Sequence, residues 1–185
     1  MFAKSLVIGL FALALGAKAV PEAPVVTDNS PTDVYTSQLL IKDNTTVRGH
    51  VTSYSPDGVG VTFRIALTGI EGHQALKYHI HEKPVPEDGN CYATGAHLDP
   101  TRRGEDPPCD ILNPATCQVG DLSGKHGPAF APEDSEFLIE YTDYFVSNVP
   151  GNPAYYGNLS WVVHLPDEAK TRLNCGNFEK MGLGA

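Results

Sequence analysis

Basic residues are scarce in this chain: 13 Lys and Arg stand against 22 Asp and Glu, a formal net charge of −9 over 185 residues. A chain that acidic is a poor candidate for nucleic acid or for anionic membranes. Apolar runs are scarce too. Leu6 to Leu15 is too short to cross a bilayer, and nothing after it is apolar enough to do so. With Lys4 before it and Ala17-Lys18-Ala19 after it, this run has the pattern of a secretory signal cut near Ala19. Removing residues 1–19, which hold two lysines and no acid, takes the charge from −9 to −11. The end, Phe178 to Ala185, lacks the apolar tail of a glycolipid-anchor signal. No long stretch has the helical period, which argues against a helical bundle, and no internal repeat argues for a solenoid. Cysteine is limited to four residues. On a secretory route these favour two disulfides, with three possible pairings.

Short alternating segments are abundant instead. We divide the chain into a signal peptide (1–19), a flexible leader (20–34), one domain (35–180) and a tail (181–185). Strands are predicted over Tyr35–Lys42, Thr46–Tyr54, Gly60–Leu67, Leu76–Glu82, Glu136–Tyr144, Leu159–His164 and Leu173–Phe178. Ser55-Pro56-Asp57-Gly58 is a turn: Pro presets φ and Gly permits positive φ. From Lys83 to Pro132 regular patterns vanish, and Pro, Gly, Asp and three of the four cysteines gather there. Loops this long are usually functional or disordered, and cysteines argue against disorder. The fold class is therefore all-β, an antiparallel sandwich or barrel with a long loop. Asn44-Thr45-Thr46 and Asn158-Leu159-Ser160 are glycosylation sequons in expected surface turns.

The stretch Lys77-Tyr78-His79-Ile80-His81-Glu82 organises the rest. On a strand, side chains at i and i+2 share a face, so His79 and His81 can converge on one metal ion without bending the backbone. Imidazole suits several transition metals, so the pair alone names none. Alone, it is equally consistent with two solvent-facing histidines. His97 lies in the long loop and His164 closes the apolar run Trp161-Val162-Val163. His126 is expected to anchor a turn. His50 and His73 have no partner motif and are expected to be solvated.

His79-Ile80-His81-Glu82, Gly95-Ala96-His97-Leu98-Asp99-Pro100, Val119-Gly120-Asp121-Leu122, Val162-Val163-His164 and Arg172-Leu173-Asn174-Cys175-Gly176 occur in one order. In that order and context the chain resembles the copper–zinc superoxide dismutase family, from about Tyr35 to Phe178. The resemblance implies an immunoglobulin-like Greek-key barrel of about eight strands. It implies His79, His81 and His164 as copper ligands, with His97 as the histidine that in the family bridges copper to zinc. Cys91 and Cys175 would tether the active-site loop to the last strand, which leaves Cys109 and Cys117 as a loop staple. Arg172 would guide superoxide to the metal.

Departures from that pattern narrow the resemblance. The zinc-binding members carry two more loop histidines, whereas no histidine lies between His97 and Asp121 here. Glu105 falls near the place of the first and Gln118 at the place of the second. Asp121 and one shared histidine do not make a tetrahedral zinc site. Only seven residues, Leu165 to Thr171, separate His164 from Arg172, where the zinc enzymes have a long charged loop. These features resemble the secreted copper-only superoxide dismutases of fungi. That branch usually has a glutamate where Gln118 stands; an amide can hold His97 by a hydrogen bond but cannot stabilise an imidazolium.

The expected activity is conversion of superoxide to O₂ and H₂O₂ by one copper ion cycling between two oxidation states, with no zinc. Asp121 and Gln118 are expected to orient the ligands. We expect a monomer, secreted or associated with a cell wall. The main alternative is a copper-binding protein that sequesters or delivers the ion with little turnover. A three-histidine zinc hydrolase and an adhesive sandwich with no site are the others, and the five ordered motifs disfavour the last.

Overall fold

The structure, a computed structural model, describes residues 20–70, 75–132, 135–167 and 170–182. The expected signal peptide, His73 and the end of the expected tail lie outside these residues. Eight strands run along the described chain: β1 (Tyr35–Gln38), β2 (Arg48–Tyr54), β3 (Val61–Thr68), β4 (Lys77–His81), β5 (Phe137–Asp143), β6 (Ser160–His164), β7 (Arg172–Asn177) and β8 (Glu179–Lys180). Between β4 and β5 lie two 3₁₀ turns (Cys91–Thr94 and Pro114–Thr116) and one short α-helix, α1 (Leu122–His126).

Alternation builds the larger sheet. In β3, Val61, Phe63, Ile65 and Leu67 are buried while Arg64 and Thr68 face solvent. This period of two puts one apolar face inward. The strands order β5-β3-β2-β1-β8 in that sheet and β4-β6-β7 in a second. Neighbours are antiparallel throughout. The chain changes sheet after β3, β4, β5 and β7, which makes the Greek-key sandwich that the resemblance implied. Val51, Phe63, Ile65 and Leu67 of one sheet share a core with Tyr78, Ile80, Trp161 and Val163 of the other.

The second sheet behaves differently. Residues 78 to 81 of β4 and all of β6 are buried on both faces, because the long loop covers the outer one. Segment 95–98 lies along the free edge of β4, with Leu98 N–H donating to Ile80 O (2.9 Å) and Glu82 N–H to Ala96 O (2.9 Å). Gly120 closes the arrangement, receiving a bond from Ile80 N–H (2.9 Å) and donating to Leu98 O (2.7 Å). Only glycine allows that approach, since a Cβ at residue 120 would sit 2.3 Å from Ile80 O.

One sequence expectation needs correction. The leader is packed rather than flexible: Val26 exchanges bonds with Tyr144 O (2.8 Å) and Gly60 N–H (2.8 Å), and Ala23, Val26 and Asn29 are buried. Its irregular sequence hid short edge contacts that carry no period. The loop 83–132, whose cysteines argued against disorder, is held by its own contacts. Asp121 caps α1 by accepting from Gly124 N–H (2.8 Å), and the disulfide Cys109–Cys117 closes an eight-residue separation. The strand β8 and helix α1 are too short to show a period.

Candidate metal centre

Three elements deliver four imidazoles to one face of the second sheet. β4 supplies His79 and His81, whose neighbours Tyr78 and Ile80 point into the core. β6 pairs with β4 so that His164 lies opposite Lys77, on the face of His79 and His81. Segment 95–98 sets His97 beside His81 as an antiparallel bridge. One nitrogen or more from each ring then lies within 4.8 Å of the others. All four histidines line a cavity of about 450 Å³, together with Arg172 and Lys170.

Hydrogen bonds fix which nitrogen each ring offers. His81 Nδ1–H donates to Gly95 O (3.0 Å), so its Nε2 lone pair is free. His97 Nδ1–H donates to Gln118 Oε1 (2.7 Å), which likewise frees Nε2. His79 Nε2 lies 3.3 Å from Asp121 Oδ1 and 3.3 Å from Ser123 Oγ, so its Nε2–H donates to the carboxylate. Its other nitrogen, Nδ1, is buried with no partner. His81 Nε2 and His164 Nε2 stand 3.1 Å apart. Two ring nitrogens that close require a shared proton or cation between them. An orphaned Nδ1 and converging bare Nε2 atoms fit a metal ion that binds neutral imidazole.

Burial keeps three of the rings, His81, His97 and His164, neutral. Burial pushes the His81 imidazolium down to about 2, with His97 and the Arg172 guanidinium adding to the shift. Burial likewise pushes His97 down to about 4, and it lowers His164 further still. A neutral imidazole is the metal-binding form. Burial alone would raise Asp121, but bonds from His79 and Gly124 N–H hold it at about 2. The anchor of His79 is therefore a carboxylate at any physiological pH.

Arg172 opposes His164 across β6 and β7, where the register shifts by one residue. Its guanidinium donates to Cys91 O (2.7 Å), Thr94 Oγ1 (2.7 Å) and Gly95 O (2.7 Å). Gly95 O thus serves both Arg172 and His81. The Cys91–Cys175 disulfide (S–S 2.07 Å) ties that carbonyl turn to β7.

The structure therefore brings together His79, His81, His97, His164, Asp121, Gln118 and Arg172. Glu105 does not approach a metal position; it pairs with Lys170 at the cavity mouth. His126 anchors α1 by a bond to Asp143 Oδ2 (2.8 Å), and His50 is exposed on β2. Sequence reasoning missed Ser123, Thr94 and Asp99. Ser123, in α1, meets His79 Nε2 (3.3 Å) and Thr94, in a 3₁₀ turn, meets Arg172 (2.7 Å), and no motif announces either. Asp99 stands two residues past His97, yet only its fold contact with Gln118 marks it (Nε2 to Oδ2, 3.2 Å).

This fold and site define a class: a β-sandwich protein with a centre of four converging histidines and a guanidinium at its mouth. No protein-family model matches the chain. It is 35% identical over 203 residues to a cell surface Cu-only superoxide dismutase of Arthroderma benhamiae, covering 94% of this chain and 54% of that one. It is 33% identical over 179 residues to cell surface superoxide dismutase [Cu-Zn] 4 of Candida albicans, covering 96% of this chain and 72% of that one. Among solved structures, that of Candida albicans superoxide dismutase 5 with Cu(II) superposes with a TM-score of 0.71 at 29% identity, over 83% of this chain and 95% of that one. The chain belongs to the cell-surface superoxide dismutase family. It spans about half the length of the first of these relatives.

Proposed function

We propose that this chain is a secreted, copper-dependent superoxide dismutase that works without zinc. The observation that carries this reading is the set of four histidines whose free nitrogens converge while their other nitrogens are held by Gly95 O, Gln118 and Asp121. His79 through Nδ1, and His81, His97 and His164 through Nε2, would hold the ion. Copper supplies reversible one-electron chemistry, by which two superoxide ions and two protons become O₂ and H₂O₂.

The chain's own residues do the rest. Three fixed tautomers keep lone pairs on the inward nitrogens without reorganisation. Arg172 holds a positive charge at the cavity, partly exposed and locked by three acceptors, where an anion can meet it. Distant acidic groups matter less, since fields from exposed charges fade beyond about 8 Å at physiological ionic strength.

Zinc has no role in this reading. The far side of His97 is held by an amide, and Asp121 is engaged by His79 and Gly124 N–H. The names of the relatives differ on zinc, whereas these residues leave it no free ligand at Asp121 or behind His97. The expected secretory signal and the cell-surface names of the relatives support an extracellular or cell-wall location. Asn44 and Asn158 are exposed in turns, which supports their glycosylation.

Metal analysis combined with a superoxide assay tests the reading. We expect one copper per chain, no zinc, and superoxide consumption that His81→Ala abolishes. A chain fully loaded with copper that does not consume superoxide would be a copper carrier instead. Unchanged activity in His81→Ala would remove His81 from the ligand set.

A further inference from the structure

A carboxamide is nearly symmetric in shape: its oxygen accepts and its nitrogen donates, and the two ends are otherwise alike. Gln118 is buried, and its two ends meet different partners. One end meets His97 Nδ1 at 2.7 Å, the other Asp99 Oδ2 at 3.2 Å. Asp99 is itself saturated with donors. Its carboxylate accepts from Thr101 Oγ1 (3.0 Å), Arg103 N–H (3.1 Å) and Gly104 N–H (2.8 Å). An ionised carboxylate can only accept, so the nitrogen of Gln118 must face Asp99 and its oxygen must face His97.

We propose that Asp99 is a positioning residue that sets the Gln118 amide, and through it the His97 tautomer that presents a bare Nε2 to the metal. This rests on the copper reading above and adds a residue to it. With the amide turned over, Oε1 would oppose the Asp99 carboxylate and an N–H would face His97 Nδ1. The imidazole proton would then move to Nε2, the atom needed for the ion.

The same contact explains the amide at position 118. A glutamate there would put a second carboxylate beside Asp99, at the distance now occupied by N–H···O. The negative charge of this pair sits on residue 99, one amide removed from the histidine, and residue 118 relays only an acceptor. Exchanging the two roles, with Asp99→Asn and Gln118→Glu together, keeps an acceptor facing His97 and a donor facing residue 118.

Nitrogen-15 shifts of the histidine rings in the metal-free whole chain at neutral pH read the tautomer directly, and chelator competition reads Cu(II) affinity. We expect the wild type and the double variant to hold His97 as the Nδ1–H tautomer. Asp99→Asn alone should mix the two tautomers and weaken Cu(II) binding about 10-fold or more, the usual cost of losing a group that orients a ligand. Gln118→Glu alone should lower the melting temperature, and adding Asp99→Asn should restore it. This arm serves if the single Asp99 variant fails to fold. Asp99→Asn with the wild-type tautomer, or Gln118→Glu with wild-type stability and no gain from the second change, would overturn the assignment. Absence of copper binding in every variant with the tautomers as expected would sink the copper reading and leave this one standing.

Discussion

Gly95 O accepts from His81 Nδ1–H and from the Arg172 guanidinium, so one carbonyl orients a putting-together of ligand and cation. Removing Arg172 leaves the imidazole bond in place and deletes a charge at the cavity. Arg172→Ala should keep copper bound while slowing superoxide consumption roughly 10-fold or more. It should also flatten the dependence of the rate on ionic strength, which stopped-flow measurements at low and high salt would check. A lysine lacks the planar fork that reaches Cys91 O with one nitrogen and Gly95 O with the other, so Arg172→Lys should recover only part of the rate. Gly120 is the other sensitive single residue. Gly120→Ala would force a Cβ against Ile80 O, between β4 and the segment that carries His97. A cost of about 1–3 kcal/mol in denaturant unfolding is expected, with loss of copper affinity.

At the scale of elements, α1 depends on a buried ionic cluster. Lys125 Nζ lies 2.6 Å from Asp143 Oδ2 and donates to Val119 O (2.7 Å), with its side chain and that of Asp143 fully buried. His126 donates to the same carboxylate oxygen and stacks on Tyr141 at 3.8 Å. The cluster fastens α1 to the end of β5, and α1 carries Ser123 and follows the Asp121 cap that hold His79. Asp143→Asn would leave Lys125 buried without its counter-charge, at a cost of about 3–5 kcal/mol in unfolding free energy. The pH dependence follows with its sign. Burial would raise Asp143, but Lys125 and His126 outweigh it and hold the carboxyl at about 2. Its folded value lies below the ordinary carboxylate value of about 3.9, so this stabilisation is complete above pH ~4 and is lost as pH falls towards 2. Circular dichroism through that window should show the wild type weakening and Asp143→Asn changing less.

Across the whole molecule, the Cys91–Cys175 bridge spans 84 residues and joins the loop turn to β7, whereas Cys109–Cys117 spans eight. Loop-closure entropy assigns about 4.5 kcal/mol to the long bridge and about 2.5 kcal/mol to the short one. Replacing both members of the long bridge by serine should therefore destabilise the chain more, and should also loosen the carbonyls of Cys91 and Gly95. Denaturant midpoints of the two double variants would show the order; equal losses would contradict it.

Much of this molecule is legible in its residues. Alternation in Val61 to Leu67 gives the inward face of β3, and the i, i+2 spacing of His79 and His81 gives two imidazoles on one side of β4. Strand geometry is a local property of sequence, so both are readable directly, whereas it is the resemblance carried by the ordered motifs that links them to His97, His164 and Arg172. What only the tertiary structure decides is which groups meet across distance. The packing of Ala23 and Val26, the cluster of Lys125 with Asp143, and the contact of Asp99 with Gln118 have no period or spacing to announce them. At position 118 the residues alone name one partner, His97, and the fold adds a second. The buried amide meets His97 at one end and Asp99 at the other, because folding brings residues 99 and 118 together across a loop that has no period.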